Sequence, residues 1–314
     1  MIKLSYTILC LLCLLSCSKE QLSAKASLHK IDEQRAFSFI EKTVDFGSRY
    51  PGSQASKNFA QWLASEAQKL GFKSEIQTWK EIYNGSIVEF RNIIITVPPT
   101  VDPLNTKDFI VVGSHFDNKY LKDVKDWQSA NDGPSSCGLL LEILHQINEN
   151  PKLWQIDTEL RFIFFDGEEA LHEYTDDDGL YGSRYYVQKL VEKNQITHCR
   201  AMLLADMVAD KDLKISFPKN NDKNLIMQAQ RIAKENGLSQ HFQAGNKAIL
   251  DDFIPFLDKG IAVIDFIDFN YGPDNSHWHT EADTIDKLSP KSLKIVGTVF
   301  QQLIWELSSA TKKK

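Results

Sequence analysis

Residues 160–169 read LRFIFFDGEE. Six mostly apolar residues, Leu160–Phe165, run straight into Asp166, Gly167 and the paired acids Glu168 and Glu169. An apolar, aromatic and β-branched run of this length, bounded by a glycine turn, reads as a strand buried on both faces. Similar runs stand at Asn92–Val97, Phe109–Gly113, Ala201–Ala205 and Ile261–Ile267. Between and around them lie amphipathic stretches at 32–46, 55–71, 135–149, 181–193, 222–237 and 290–309. The last carries Leu293, Ile295, Val296, Val299, Phe300, Leu303 and Ile304 near a helical period. Alternating strand and helix patterns predict an α/β fold with a mixed, mostly parallel central sheet flanked by helices.

Three of these strands end in the same way. FIVVGS leads into His115 and Asp117, LRFIFFDG into Glu168 and Glu169, and AMLLA into Asp206. Ligands of open α/β sheets bind outside the carboxyl ends of the strands. One polar residue there is simply the start of a loop, but three strands delivering acids and histidine to one edge describe a metal site. Zinc takes imidazole nitrogen and carboxylate oxygen, and a catalytic zinc keeps one position open. The candidate ligands are His115, Asp117, Asp132, Glu168, Glu169, Asp206, His277 and His279. Asn131-Asp132-Gly133 is also a good turn sequence. Glu168 and Glu169 are adjacent, so in an extended segment they would point to opposite faces.

Composition narrows the function classes. The 314 residues carry 42 acidic and 36 basic side chains, a net charge of −6. A net negative chain without a basic block is a poor partner for nucleic acid. The long apolar run at the start is too short for a bilayer, which needs about 20 residues, and follows Lys3 as in a secretory signal. Leu14-Leu15-Ser16-Cys17 resembles a bacterial lipobox, with Cys17 as the lipidated residue. The chain then divides into a signal peptide (1–16), a polar tether (17–30) and one catalytic domain (31–314). The implied location is the bacterial cell envelope, and Ser18 resembles outer-membrane sorting, with the domain facing the periplasm or the cell surface. The membrane is reached by the lipid anchor only. Cys137 and Cys199 read as buried thiols.

GSRYPGS (47–53), GSHFD, SANDGPSSCG, FFDGEEA, LLADM and HWHTEAD occur in this order. Together they resemble the M28 zinc aminopeptidase superfamily, with its phosphorylase/hydrolase-like fold, and most closely its animal-type glutaminyl-peptide cyclotransferases. LYGSR at 180–184, DDFIPF at 251–256 and the Trp278-His279 pair favour the cyclase branch. The resemblance implies one zinc ion held by Asp132, Glu169 and His279, with Glu168, Asp206 and Asp251 as catalytic carboxylates. Trp278 and Tyr174 would line the substrate pocket. It also implies peptide or protein substrates with an N-terminal glutamine, converted to pyroglutamate with loss of ammonia. His115 is either structural or, with Asp206, part of a second metal site as in two-metal aminopeptidases. An aminopeptidase and a catalytically silent envelope binding protein are the competing readings.

Four departures from the family pattern stand out. Tyr174 replaces a tryptophan, Phe253 a histidine, and Ser114 a cysteine that is otherwise bridged to the counterpart of Cys137. Asp176–Asp178 reads as a solvated acidic face. Asp251 is also a candidate helix N-cap.

Overall fold

The computed structural model describes residues 31–101, 106–121, 124, 127–175 and 177–309. Cys17, the signal peptide and the tether lie outside the described residues.

Six strands form one sheet: β1 (Lys73–Tyr83), β2 (Ser86–Val97), β3 (Phe109–His115), β4 (Glu159–Phe165), β5 (Cys199–Asp206) and β8 (Val263–Ile267). The spatial order is β1-β2-β4-β3-β5-β8. β1–β2 and β2–β4 pair antiparallel, whereas β4–β3, β3–β5 and β5–β8 pair parallel. A small parallel pair, β6 (Ile215–Phe217) and β7 (Phe242–Ala244), lies outside the main sheet.

The pleat sorts the strand side chains into two cores. Ile110, Val112, Leu160, Phe162, Phe164, Leu203, Ala205, Ile264 and Phe266 face the larger one. It is covered by α1 (Glu33–Val44), α2 (Gln54–Lys69), α3 (Pro134–Glu149), α5 (Lys223–Glu235) and α7 (Pro290–Ser308). Phe109, Val111, Ile163, Phe165, Met202, Leu204 and Val263 face the smaller one, under α4 (Tyr181–Glu192) and the single turn α6 (Ile254–Leu257). Burial on both faces explains why these strands read as continuous apolar runs. All six expected helices form, with ends within two residues of those read from periodicity. Three of them start on a side-chain cap. Asp32 accepts from the amides of Gln34 and Arg35, Ser53 from Ser56, and Asp222 from Asn224 and Leu225. α1 and α3 touch closely at Gly138, where a Cβ would lie 2.6 Å from the carbonyl oxygen of Ala36.

β1 was not legible as an apolar run. It is an edge strand, mostly exposed, and pairs along its whole length with β2. Its signal is the turn rather than the strand: Asn84 (φ 47°) and Gly85 (φ 76°) form the left-handed pair that a two-residue hairpin demands.

β4 and β5 flank β3 on opposite sides. The chain therefore runs β3 to β4 one way and crosses back to β5 the other way. Such a reversal opens a crevice at the strands' carboxyl ends, where the acids and histidines gather.

Candidate metal centre and carboxylate pocket

Asp132 sits in the β3–α3 connection. Its own amide (3.2 Å) and that of Asn131 (2.8 Å) donate to the Asp283 carboxylate, which also accepts the Tyr271 hydroxyl at 2.9 Å. Asp283 thus holds the turn that presents Asp132. Across the crevice, the amides of Glu168 and Glu169 donate to the two oxygens of Asp117 at 3.1 and 3.2 Å. Asp117 is therefore a backbone clamp for the Glu-Glu pair, and its Oδ1 also lies 3.6 Å from His115 Nδ1. His279 closes the group. Its Nε2 lies 2.8 Å from Glu169 Oε1 and 3.4 Å from Asp132 Oδ2. His279 adopts φ +55°, a strained conformation for a residue with a Cβ, and its ring stacks on Trp278 with centroids 3.9 Å apart.

Candidate ligand atoms of Asp132, Glu169 and His279 lie within 4.8 Å of one another. Among the described residues, Asp132 Oδ2 and Glu169 Oε2 are buried and find no hydrogen-bond donor, with Lys119 Nζ 4.0 Å from Glu169 Oε2. Buried carboxylate oxygens without donors are costly unless a cation meets them, so two carboxylates and an imidazole with converging free atoms fit zinc. His115, Asp132 and Asp206 form a second group within the same limit. His115 Nε2 is 3.1 Å from Asp132 Oδ1 and 3.2 Å from Asp206 Oδ1, so Asp132 stands between the two histidines. Burial opposes ionisation of Asp132, but hydrogen bonds with His115 and His279 outweigh it and hold the carboxyl below its usual range.

A second set of acids lines the same cavity. Asp206 ends β5 and Asp251 lies in the turn before α6. Asp265, a fully buried residue in the middle of β8, acts on Asp251 by its charge and adds to the burial that raises it. Burial, reinforced by neighbouring carboxylates, pushes Glu168, Asp251 and Asp265 well above the carboxylate range. Asp265 is the member of this network that the sequence did not reveal, since one Asp within VIDFI carries no motif.

Asp132, Glu168, Glu169, Tyr174, Asp206, Asp251, Trp278 and His279 line one cavity of about 330 Å³. Glu168 and Glu169 both face it, contrary to the expectation from an extended segment, because the chain bends after β4. Ile249, Leu250, Ile267 and Phe269 complete its wall. Phe269 packs edge-on against Trp278 at 4.9 Å. Ile267 ends a strand legible in the sequence, whereas Ile249, Leu250 and Phe269 were invisible there because loop residues carry no periodicity.

Other expectations are corrected or resolved here. Asp251 does not cap a helix; the N-cap position of α6 is Phe253. Phe253 is buried in the smaller core and does not border the cavity. His277 points away from the ligand group, against the Tyr271 ring, and borders a separate cleft. Cys137 and Cys199 are buried free thiols; Ser114 Oγ bonds Ser136 Oγ at 2.7 Å where a bridging cysteine would stand. Asp178 is buried rather than solvated.

Residues 92–304 match Peptidase family M28. The glutaminyl-peptide cyclotransferase of Bos taurus is 27% identical over 291 residues, covering 82% of this chain and 78% of its own. The crystal structure of an Acidobacteriales bacterium glutaminyl cyclase superposes with a TM-score of 0.81 at 29% identity, over 89% of this chain and 95% of that one. A Zn-dependent exopeptidase from Parabacteroides distasonis superposes at 0.75 with 25% identity, over 88% and 98%. The mostly parallel sheet, the acids at its carboxyl edge and these likenesses agree: the chain is an enzyme of peptidase family M28, on its glutaminyl-cyclase branch.

Proposed function

We propose that this enzyme is a zinc-dependent glutaminyl-peptide cyclotransferase acting on peptides or proteins with an N-terminal glutamine. The observation that carries the reading is the division of one small cavity between a cation-fitting triad and a proton-holding set of acids. In the reaction the α-amine attacks the γ-amide carbon of the same residue. A C–N bond forms, the bond to the amide nitrogen breaks, and ammonia leaves. The nucleophile is tethered, so orientation supplies much of the rate.

Asp132, Glu169 and His279 would hold one zinc ion, which polarises the γ-carbonyl when bound. Glu168 accepts the proton released by the amine and returns it to the departing nitrogen. Burial supports this role, because a carboxyl raised above its ordinary range is a stronger base once ionised. Asp251, backed by Asp265 and facing Asp206, holds the amide nitrogen. Trp278, Tyr174 and Phe269 enclose the side chain and limit water.

A purified preparation incubated with a Gln-initiated peptide, beside buffer and boiled controls, tests the reading by mass spectrometry. Loss of one ammonia above control is the expected result. Removal of the whole first residue would instead support an M28 aminopeptidase. That second reading is favoured by the His115, Asp132 and Asp206 group, and two metal ions per chain would accompany it. A lipid anchor at Cys17 and an envelope location belong to this proposal on sequence grounds, as does a single catalytic domain from residue 31.

A further inference from the structure

Asp178 lies beyond the catalytic acids, yet it is the best-bonded carboxylate of the loops around the cavity. It is 7% exposed. Its Oδ1 accepts the Leu171 amide at 2.7 Å and the Tyr181 hydroxyl at 3.1 Å. Its Oδ2 accepts the amides of His172 (2.9 Å) and Glu173 (3.2 Å) and the Tyr83 hydroxyl (3.2 Å). Three consecutive amides and two phenols from separate elements, the β1–β2 hairpin and α4, therefore converge on one side chain. Its carbonyl accepts the Thr175 amide at 3.1 Å, and Thr175 Oγ1 accepts the Asp178 amide at 3.1 Å. A buried carboxylate so placed needs no counter-cation, because its acceptor sites are filled by donors.

What this hub holds is the residue between those amides and Thr175. The Tyr174 hydroxyl donates to the Glu168 carbonyl at 2.6 Å and also meets the Glu168 carboxylate. The Tyr174 ring lies against Gly179, where a Cβ would come within 2.8 Å of it. Gly179 has φ +108°, so backbone conformation and the space for the ring both require glycine there. The phenol thus reaches Glu168 from a fixed direction, engaging one carboxylate oxygen and leaving the other toward the cavity.

We propose that Asp178 is a positioning residue for Glu168, acting through Tyr174. It anchors the Leu171–Thr175 backbone so that the phenol orients the carboxylate that moves the proton. The proposal rests on the cyclotransferase reading above. A tyrosine at this position then does what an indole ring cannot do with the same geometry: it offers a hydroxyl to a carboxylate beside it.

The test uses the full chain, with zinc content, kcat and KM for a Gln-initiated peptide measured for wild type, Asp178→Asn, Tyr174→Phe and the double variant. Asparagine keeps the size of Asp178 but turns an NH2 group toward donors. Because misplacement by about 1 Å can cost on the order of 100-fold, Asp178→Asn should lose at least about 10-fold in kcat with zinc retained and KM little changed. Tyr174→Phe, which removes only the hydroxyl, should lose a similar factor. The double variant should be no slower than the slower single one, since both changes break the same link. A fully active Asp178→Asn, or losses that multiply in the double variant, would overturn the proposal. If Asp178→Asn fails to fold, a fully active Tyr174→Phe overturns it by itself. A wild type that cyclises nothing would overturn the reaction instead, and is distinguishable because no variant is needed to see it.

Discussion

The two sides of the cavity are built from the same residue types, yet Asp132 on one shifts down while Glu168 and Asp251 on the other shift up, and Glu169 beside Asp132 is itself raised by burial. On one side Asp132 and Glu169 face His279 at 3.4 and 2.8 Å. There the imidazoles hold Asp132 down, and the hydrogen bonds with Asp132 and Glu169 overcome burial to raise His279 to about 10. On the other side Glu168, Asp251 and Asp265 have carboxylate neighbours, and burial drives them up. Carboxylates that stabilise a positive imidazolium also stabilise a metal cation that displaces its proton, whereas acids crowded together without such a partner are raised. The difference lies in what the backbone brings near each acid, not in the acid itself.

Breaking the cation side should have the largest effect. His279→Ala removes one of the three proposed zinc ligands, and we expect loss of bound zinc and of measurable turnover. Full zinc occupancy by elemental analysis would show that the two sides are not divided as described. Glu168→Gln acts on the proton side. It should cost about 100- to 10,000-fold in kcat while zinc stays bound; turnover at the wild-type rate would remove Glu168 from proton transfer.

The smallest expected effect sharpens the comparison by moving away from the site. Asp268, just past β8, is buried and accepts the Lys214 amide at 2.7 Å. Burial raises its carboxyl to about 7. A folded-state pKa above the unfolded value means that its contribution to stability is fully present below about 3.9 and is lost as pH rises through 7. The slope is at most about 1.4 kcal/mol per pH unit. In denaturant titrations, Asp268→Asn should therefore gain stability relative to wild type between pH 5 and pH 8. A difference that does not change with pH would show that Asp268 is already ionised in the fold.

The strands buried on both faces were legible because β3, β4, β5 and β8 must be apolar throughout, and the helices because their periodicity survives in the sequence. The candidate triad could be named from the sequence because its members sit in motifs that occur in the order of the family they resemble, and the fold brings them together. β1 was missed because an edge strand needs no apolar run, although Asn84-Gly85 marked its turn. Asp265 and Asp283 were missed because each acts on a residue remote in sequence, Asp251 or the Asn131-Asp132 turn. The reading of Asp178 as solvated failed for the same reason. Its partners are Tyr83, Tyr181 and three loop amides, and a local run of acids says nothing about them.

By itself, then, the sequence determined which segments become strands and helices, and that the acids and histidines follow strand ends. Those properties are local: apolar period, turn residues and order along the chain. Only the tertiary structure decided which acids face an imidazole and which face each other, that Glu168 and Glu169 share a cavity, and that Asp178 is a buried hub. Protonation and orientation depend on burial and on distances of a few ångströms between remote residues, and those distances exist only once the sheet has brought its strand ends together.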